Sequence, residues 1–322
     1  MSNLFLRFFA HHLEIGVVDY PFDAAYMAGP ERQARRHNPK IDALVKARKE
    51  ADHHVTYQMA FDEMRERIRE IEGEGRVAII KQPIYDIADP AIIIKNVPSA
   101  GPPLGRTPSI TVPDGKPRQN DPSLPPNPTI LPSSFMDSLL PIILIRHPAL
   151  MIPSYYRVAR DIHGARVDDA EFPINATLRW SRLVLEYYLA QAAVTAVNPI
   201  VIDASDLVGP DTEALLAKLC RLAGISPEFV QLQWTRPLEQ QVGSISEGTK
   251  AFRKVFLEST GVMRREQKGK ESGEGGEVII AEEVRRWEEE FGAEAAEALR
   301  RLVELAMSDW DYLKGFALRA DK

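Results

Sequence analysis

Apolar residues along the chain fall into two alternating rhythms. Four short continuous runs read as buried strands: Ile15-Gly-Val-Val-Asp-Tyr20, Arg76-Val-Ala-Ile-Ile-Lys81, Pro141-Ile-Ile-Leu-Ile145 and Pro199-Ile-Val-Ile-Asp203. Between them, apolar residues recur three and four apart, the spacing of one helix face. Asn3 to Leu13 reads as the buried end of a helix. Pro39 to Glu72 reads as charged and helical, with Phe61, Met64, Ile68 and Ile71 on one face, and Gly73 and Gly75 stop it. A short helix is expected over Phe135 to Leu140, and a longer one runs to Ile162 after Pro148. Thr177 to Val197 is a further helix, with Leu178, Leu183, Leu185, Tyr188 and Leu189 toward the core. Leu207 to Ala223 follows, stopped by Gly224. Ala281 to Met307 is a long amphipathic helix with Val284, Trp287, Phe291, Leu299, Leu302 and Leu305 on its apolar side. The run Pro141 to Ile145 is the strongest strand, of the kind buried on both faces of a parallel sheet. Strands alternating with helices predict an α/β fold built on a parallel sheet.

Organisation follows from the same pass. The 322 residues suit one large α/β domain or two smaller ones, and the chain is read as a single domain over 1–322. Proline, glycine and serine dominate 96–133 without any hydrophobic period, which predicts a long irregular loop. Such a loop is either a surface insertion or a lid over a site. A helical extension is expected over 278–316.

Composition narrows the function classes. Hydrophobic residues make up 44% and charged residues 27%, so neither disorder nor a fibrous repeat fits. The formal net charge of -6 gives no reason to expect a nucleic-acid partner. The single cysteine, Cys220, excludes an internal disulfide framework and a cysteine-built zinc site, and fits a reducing, cytoplasmic compartment. The adjacent pairs His11-His12 and His53-His54 lack metal-ligand spacing on a helix face and read as surface or loop; no metal is expected. No apolar run approaches the ~18 residues of a membrane span, and the start, MSNLFLRFFAHH, does not read as a signal peptide.

In an open α/β sheet, ligands lie beyond the carboxyl ends of the strands, where loops and helix N-termini meet. The residues to inspect are therefore 19–22, 81–85, 146–154 and 203–206. Arg146 follows the strongest strand directly, Pro148 suits a first helical turn, and Ser154 lies eight residues after the arginine. A guanidinium at a strand end and a hydroxyl on the adjoining helix can face one phosphate, the first through paired charge-assisted bonds. The alternative is a structural ion pair at Arg146 and a surface hydroxyl at Ser154.

The stretch Ile145-Arg-His-Pro-Ala-Leu-Met-Ile-Pro-Ser-Tyr-Tyr-Arg157 resembles the sulfotransferase motif that holds the 3′-phosphate of the donor 3′-phosphoadenosine-5′-phosphosulfate (PAPS). Arg146, Ser154 and the pair Tyr155-Tyr156 stand at its characteristic positions. Asp19-Tyr-Pro-Phe22, Gly29-Pro-Glu-Arg32, Asn127-Pro-Thr-Ile-Leu-Pro132 and Ile202-Asp-Ala-Ser-Asp-Leu207 resemble the fungal branch of sulfotransferase-like P-loop proteins, so the likeness runs from the N-terminus to about Phe256. The resemblance implies a three-layer, P-loop-NTPase-like parallel sheet flanked by helices. It implies PAPS as donor, its product 3′-phosphoadenosine-5′-phosphate (PAP), and a small-molecule hydroxyl as acceptor, in keeping with secondary metabolism. Arg146 and Ser154 would bind the 3′-phosphate, Lys81 would stabilise charge at the transferring group, and Lys250 or its basic neighbours would reach the donor.

Two departures qualify the resemblance. The family opens with a strand and a phosphate loop of the type Pro-(Lys/Arg)-Ser-x-Ser/Thr, whereas this chain begins at Met1-Ser-Asn and matches only the loop's end, with Ser2 as remnant. Many members carry Lys-x-His after the second strand, the histidine being the general base; here Lys81-Gln82-Pro83 puts a proline in its place. The chain is therefore expected to be a sulfotransferase, a repurposed or inactive relative, or an active enzyme whose gene model starts too late.

Overall fold

A computed structural model describes residues 2–36, 38–51, 54–112, 124–234, 260–261 and 278–320. In chain order these form α1 (Ser2–Phe8), β1 (Ile15–Asp19), α2 (Asp23–Ala28), α3 (Pro39–Ala51), α4 (Tyr57–Gly73), β2 (Val77–Lys81), α5 (Ile84–Ile87) and α6 (Pro90–Asn96). There follow α7 (Ser133–Met136), β3 (Ile142–Ile145), α8 (Pro148–His163), α9 (Phe172–Asn175), α10 (Arg179–Thr195), β4 (Ile200–Asp203), α11 (Thr212–Ala223), α12 (Ile280–Phe291) and α13 (Ala293–Lys314). The described strands form two small sheets, β1 with β2 and β3 with β4. The chain divides into two compact units: one of Met1–Leu13, Leu144–Ile162 and Val201–Lys322, the other of Glu14–Ile143 and His163–Ile200.

In the second unit β1 and β2 pair in parallel, in a register that runs from Ile15 opposite Val77 to Asp19 opposite Lys81. The sheet is covered by α4, and Gly16 permits the contact. A Cβ at Gly16 would stand 2.6 Å from the side chain of Ile71, which is itself fully buried. The segment 39–72 is two helices and not one. Thr56 is extended and its side chain accepts from Met59 N, so α4 begins afresh with its own cap. Phe61 meets Phe135 edge-on at 5.0 Å, and Phe22 stacks on Tyr57. A core cluster of Ala88, Ile93, Ala100, Ile174 and Trp180 joins α6, α9 and α10, with Trp180 Nε1 donating to Ile174 O. Leu189, expected in the core, is exposed: α10 buries Val184, Leu185, Tyr187 and Tyr188, which leaves Leu189 on the outer side.

The proline-rich loop is anchored where it is described. Ala100 and Leu131 are buried, and Thr129 bridges to Ala88. Gly105 N donates to Arg32 O, and a Cβ there would sit 2.2 Å from Arg32 N, so only glycine permits that approach. Residues 113–123 lie outside the described residues.

Strands β3 and β4 also run parallel. Ile200 N donates to Pro141 O and Ala204 N to Ile145 O, a step of four residues on each strand. The expectation of burial on both faces holds for the wrong strand. In β3 half-buried and buried residues alternate, whereas all four residues of β4 are buried. The reason lies in the first unit: the tail after α13 bridges Val201 through Ala317, and Leu318 N donates to Val201 O, so β4 is flanked there.

Also in the first unit, α11 buries Leu215, Leu216, Leu219 and Cys220 and ends at Gly224 in the left-handed region. It begins at Thr212, later than expected, because Asp206–Val208 is a separate 3-10 turn. The expected single helix over 281–307 is broken at Gly292 (φ +87°) into α12 and α13. The break re-aims the apolar face: Trp287, Leu299, Val303 and Leu313 are buried, while Leu305 is 74% exposed. His12, expected at the surface, is buried, with Nε2 2.8 Å from Ser226 O and its ring between Phe9 and Phe229.

The Gly16–Ile71 contact predicts that Gly16→Ala destabilises the protein by about 1–3 kcal/mol, the usual cost of overpacking. Denaturant unfolding of Gly16→Ala alone and combined with Ile71→Val checks this, the shorter side chain recovering part of the loss.

Candidate functional site

Each unit carries polar residues just past the ends of its strands. In the second unit the parallel register sets Asp19 and Lys81 side by side, and Lys81 Nζ lies 3.1 Å from Asp19 Oδ1. Lys81 is 7% exposed, so its ammonium is largely withdrawn from water. The same Nζ sits 4.2 Å from the ring centroid of Tyr20. Tyr20 has φ +53°, rare for a residue with a Cβ, and Tyr20 N donates to Lys81 O. Sequence reasoning singled out Lys81 and marked 19–22 for inspection, but did not pair them. Their signal was the equal length of the two apolar runs, which end on an acid and a base.

Beyond Lys81 the chain turns through Pro83, which precedes α5 in extended backbone. Gln82 Oε1 accepts from Phe22 N, and Gln82 Nε2 donates to Asp86 Oδ2 at 2.5 Å. Asp86 is buried, and its carbonyl accepts from Tyr57 Oη at 2.7 Å. Burial raises the Tyr57 phenol well above its ordinary range, helped by the charges of Asp86 and Glu31 and opposed by Arg35. The strand end thus holds a paired ammonium, a buried carboxyl group and a phenol that stays protonated.

In the first unit, Arg146 is half-buried directly after β3, and Pro148 opens α8 with its φ already suited to a helix. Ser154 lies six residues further along α8, a rise of about 9 Å. Its side chain is half-buried, and among the described residues its hydroxyl has no hydrogen-bond partner. His147 caps the helix start: its Nδ1 accepts from Ala149 N at 3.2 Å. Its ring meets Trp310 edge-on at 4.7 Å. Burial and the Lys314 ammonium lower the imidazole below its ordinary value, against the opposite pull of Asp203, Asp311 and Glu283. A ring accepting at Nδ1 is a structural cap on α8. Asp203 at the end of β4 is buried and accepts from Ser205 N, and Asp206 pairs with Arg319 of the tail.

The expected site residues are therefore distributed. Arg146 and Ser154 lie in the first unit at one strand–helix junction, Ser2 opens α1 of that unit, and Lys81 belongs to the second unit. Lys250 and the neighbouring basic segments fall outside the described residues. Among the described residues no group of three or more His, Cys, Asp or Glu is placed to hold a metal ion. No described helix is long and apolar enough to cross a membrane.

Comparison with known proteins gives these junctions a context. The chain is similar to sulfotransferase ppzF of Metarhizium majus, 27% identical over 336 residues, which covers 99% of this chain and 94% of that protein. It is likewise 27% identical to sulfotransferase ppzF of Metarhizium rileyi over 277 residues, 83% of this chain and 77% of that one. These matches support a sulfotransferase-like family. No protein-family model matches the chain, and no solved structure matches it.

Two predictions follow from the geometry. Asp19→Asn leaves the buried Lys81 ammonium without its carboxylate, and costs about 2 kcal/mol once Asp19's partial exposure is discounted. Lys81→Met removes the charge together with its need for a partner and costs less; urea midpoints of the two variants test the order. For His147 the lowered folded pKa means that the unfolded chain takes up the proton first as pH falls through about 6.5. Stability is therefore lost progressively as pH falls from about 7.5 through the unfolded value toward the lower folded one. His147→Asn keeps a capping acceptor but cannot titrate, so its melting temperature falls less over that window.

Proposed function

We propose that the protein transfers a sulfuryl group from PAPS to the hydroxyl of a small molecule. The reading rests on one observation above others: near-complete alignment with sulfotransferase-named relatives in a chain whose Arg146 and Ser154 flank the start of α8. In this reading the fold belongs to the three-layer P-loop type. Arg146 grips the donor 3′-phosphate through two parallel charge-assisted bonds, and the unpartnered Ser154 hydroxyl adds a third donor. Ser2, at the start of α1, stands at the end of the phosphate loop, and Lys250 adds positive charge to the donor. Lys81 stabilises negative charge on the transferring group.

In the reaction the acceptor oxygen forms a bond to sulfur while the bond from sulfur to the PAP oxygen breaks. PAP leaves with the bonding electrons, and the acceptor proton passes to a base or to water. By analogy with phosphoryl transfer, positioning and charge stabilisation carry most of the rate, and a general base adds about 10²–10⁴-fold. Pro83 cannot serve as that base, so an acidic hydroxyl such as a phenol is the best acceptor class.

Pro83 also favours a second reading, in which the scaffold is retained for binding or for another reaction without PAPS. Ligand binding separates the two. Saturating PAP is expected to raise the melting temperature, a ligand at 100 times its Kd contributing about 2.7 kcal/mol. Arg146→Ala should weaken PAP by about 10–100-fold, and Ser154→Ala by less, the order set by charge-assisted against neutral bonds. Absence of any shift at millimolar PAP rejects the sulfuryl-transfer reading in favour of the second.

A further inference from the structure

The turn after α1 opens a cleft in the first unit that is built from none of the strand-end residues. Beyond Phe8 the chain curls on through short turns, Phe9 N donating to Leu6 O and Ala10 N to Arg7 O. His12 goes inward to Ser226 O, and its neighbour His11 is left exposed. Opposite stands the segment 231–234. Gln231 N donates to Phe8 O, Trp234 N donates to Thr260 O, and Gln233 forms an antiparallel bridge with Gly261. His11, Gln231, Gln233, Trp234 and Thr260 line a cavity of about 710 Å³. That volume falls within the roughly 300–1,000 Å³ of small-molecule sites.

The lining has a consistent chemistry. Among the described residues, the side chains of His11, Gln231, Gln233 and Thr260 make no hydrogen bond to the protein. Two carboxamides, an imidazole and a hydroxyl therefore offer both donors and acceptors to whatever enters. No carboxylate, ammonium or guanidinium is among these lining groups, so the cleft matches neither a cation nor a strong anion. The one apolar wall is Trp234, which is 7% exposed. Phe8 meets its ring edge-on at 6.2 Å, and the Arg7 guanidinium lies 5.7 Å from its centroid. These contacts fix the indole and leave little of it open, too little apolar area to hold a flat aromatic ligand. Glutamine and threonine side chains scattered over a surface are hydrated one by one. Here four polar side chains converge on one concavity beside a fixed ring.

We infer that this cleft is a binding site for a small, uncharged, hydroxyl-rich molecule of the sugar type. Each sugar hydroxyl both donates and accepts, so two adjacent hydroxyls can meet one carboxamide at its oxygen and its nitrogen together. Gln231 and Gln233 supply two such groups on one side, and His11 and Thr260 add single contacts. The open edge of Trp234 gives the C–H side of a sugar ring a small apolar rest. No residue that the sulfuryl-transfer reading assigns to the donor or to the transferring group is among these lining residues, so the site does not depend on that reading.

Saturation-transfer NMR on the full chain tests this, with glucose, mannose, galactose and maltose as separate probes and no PAP present. At least one sugar should bind with a Kd on the order of 1 mM, weak because the contacting groups are partly solvated. Gln233→Ala and His11→Ala should each weaken that sugar by about 2–10-fold, the loss of one neutral hydrogen bond, and the double variant should weaken it further. Unliganded melting temperatures of the variants should stay close to that of the wild type, since neither side chain bonds to the protein; a merely structural role would move them. No transfer to any of the four sugars overturns the inference, and so does equal sugar affinity in the wild type and the double variant. A response to nicotinamide with none to the sugars overturns the ligand class and the inference with it. None of these outcomes bears on PAP binding, so the sulfuryl-transfer reading stands or falls separately.

Discussion

Parallel pairing over five residues is the constraint on which the chemistry of the second unit depends. The register from Ile15–Val77 to Asp19–Lys81 brings an acid and a base to the same strand end. A slip of one residue would reverse every side chain and part them. Two strands alone are marginal in water, so the register has to be held from outside the sheet. Ile71 does this by packing on Gly16, where the missing Cβ allows α4 to approach the backbone. The Lys81–Asp19 ion pair is therefore a consequence of packing some distance along the same strand. Its burial makes Lys81 a cation that must keep a partner such as Asp19.

The first unit solves a similar problem with its C-terminus. β4 is flanked there by the tail at Ala317, and the helix that delivers the tail also delivers Trp310 and Lys314. The break at Gly292 matters for the same reason. A continuous helix over 281–307 would keep one apolar stripe, while the turn at φ +87° lets α12 and α13 fold on one another with Trp287 and Leu299 inside. The C-terminal helical extension is structural support for a strand end. His147 adds to this: as a cap on α8 it ties the residue that follows Arg146 to the helix start.

Much of this was legible from residues alone because strands and helices leave different periods. The four apolar runs became the four described strands, each shorter by one residue at one end, and Pro148 marked the start of α8. The Arg146 and Ser154 positions came from spacing plus a family resemblance, and the similarity to sulfotransferase-named proteins supports the family level of that reading alone. Misreadings arose where burial depends on a distant partner. His12 looked like surface until Ser226 and Phe229, more than two hundred residues later, closed around it. Leu189 and Leu305 fit the helical period but face outward, since periodicity gives a face and not its neighbour. Trp310 and Lys314 carried no local signal of their contacts with His147 and Asp203.

The sequence by itself determined the α/β class, the strand and helix positions, and the chemical types available at each strand end. These follow from local rules: side-chain period, proline and glycine stops, and the charge of each residue. Tertiary structure alone decided which acid neutralises Lys81, which strand is fully buried, and which basic residue of the C-terminal helix reaches β4. The physical reason is that ion pairing, burial and hydrogen bonding act through space over a few ångströms. The residues involved are separated by 62 positions for Asp19 and Lys81 and by 111 for Asp203 and Lys314.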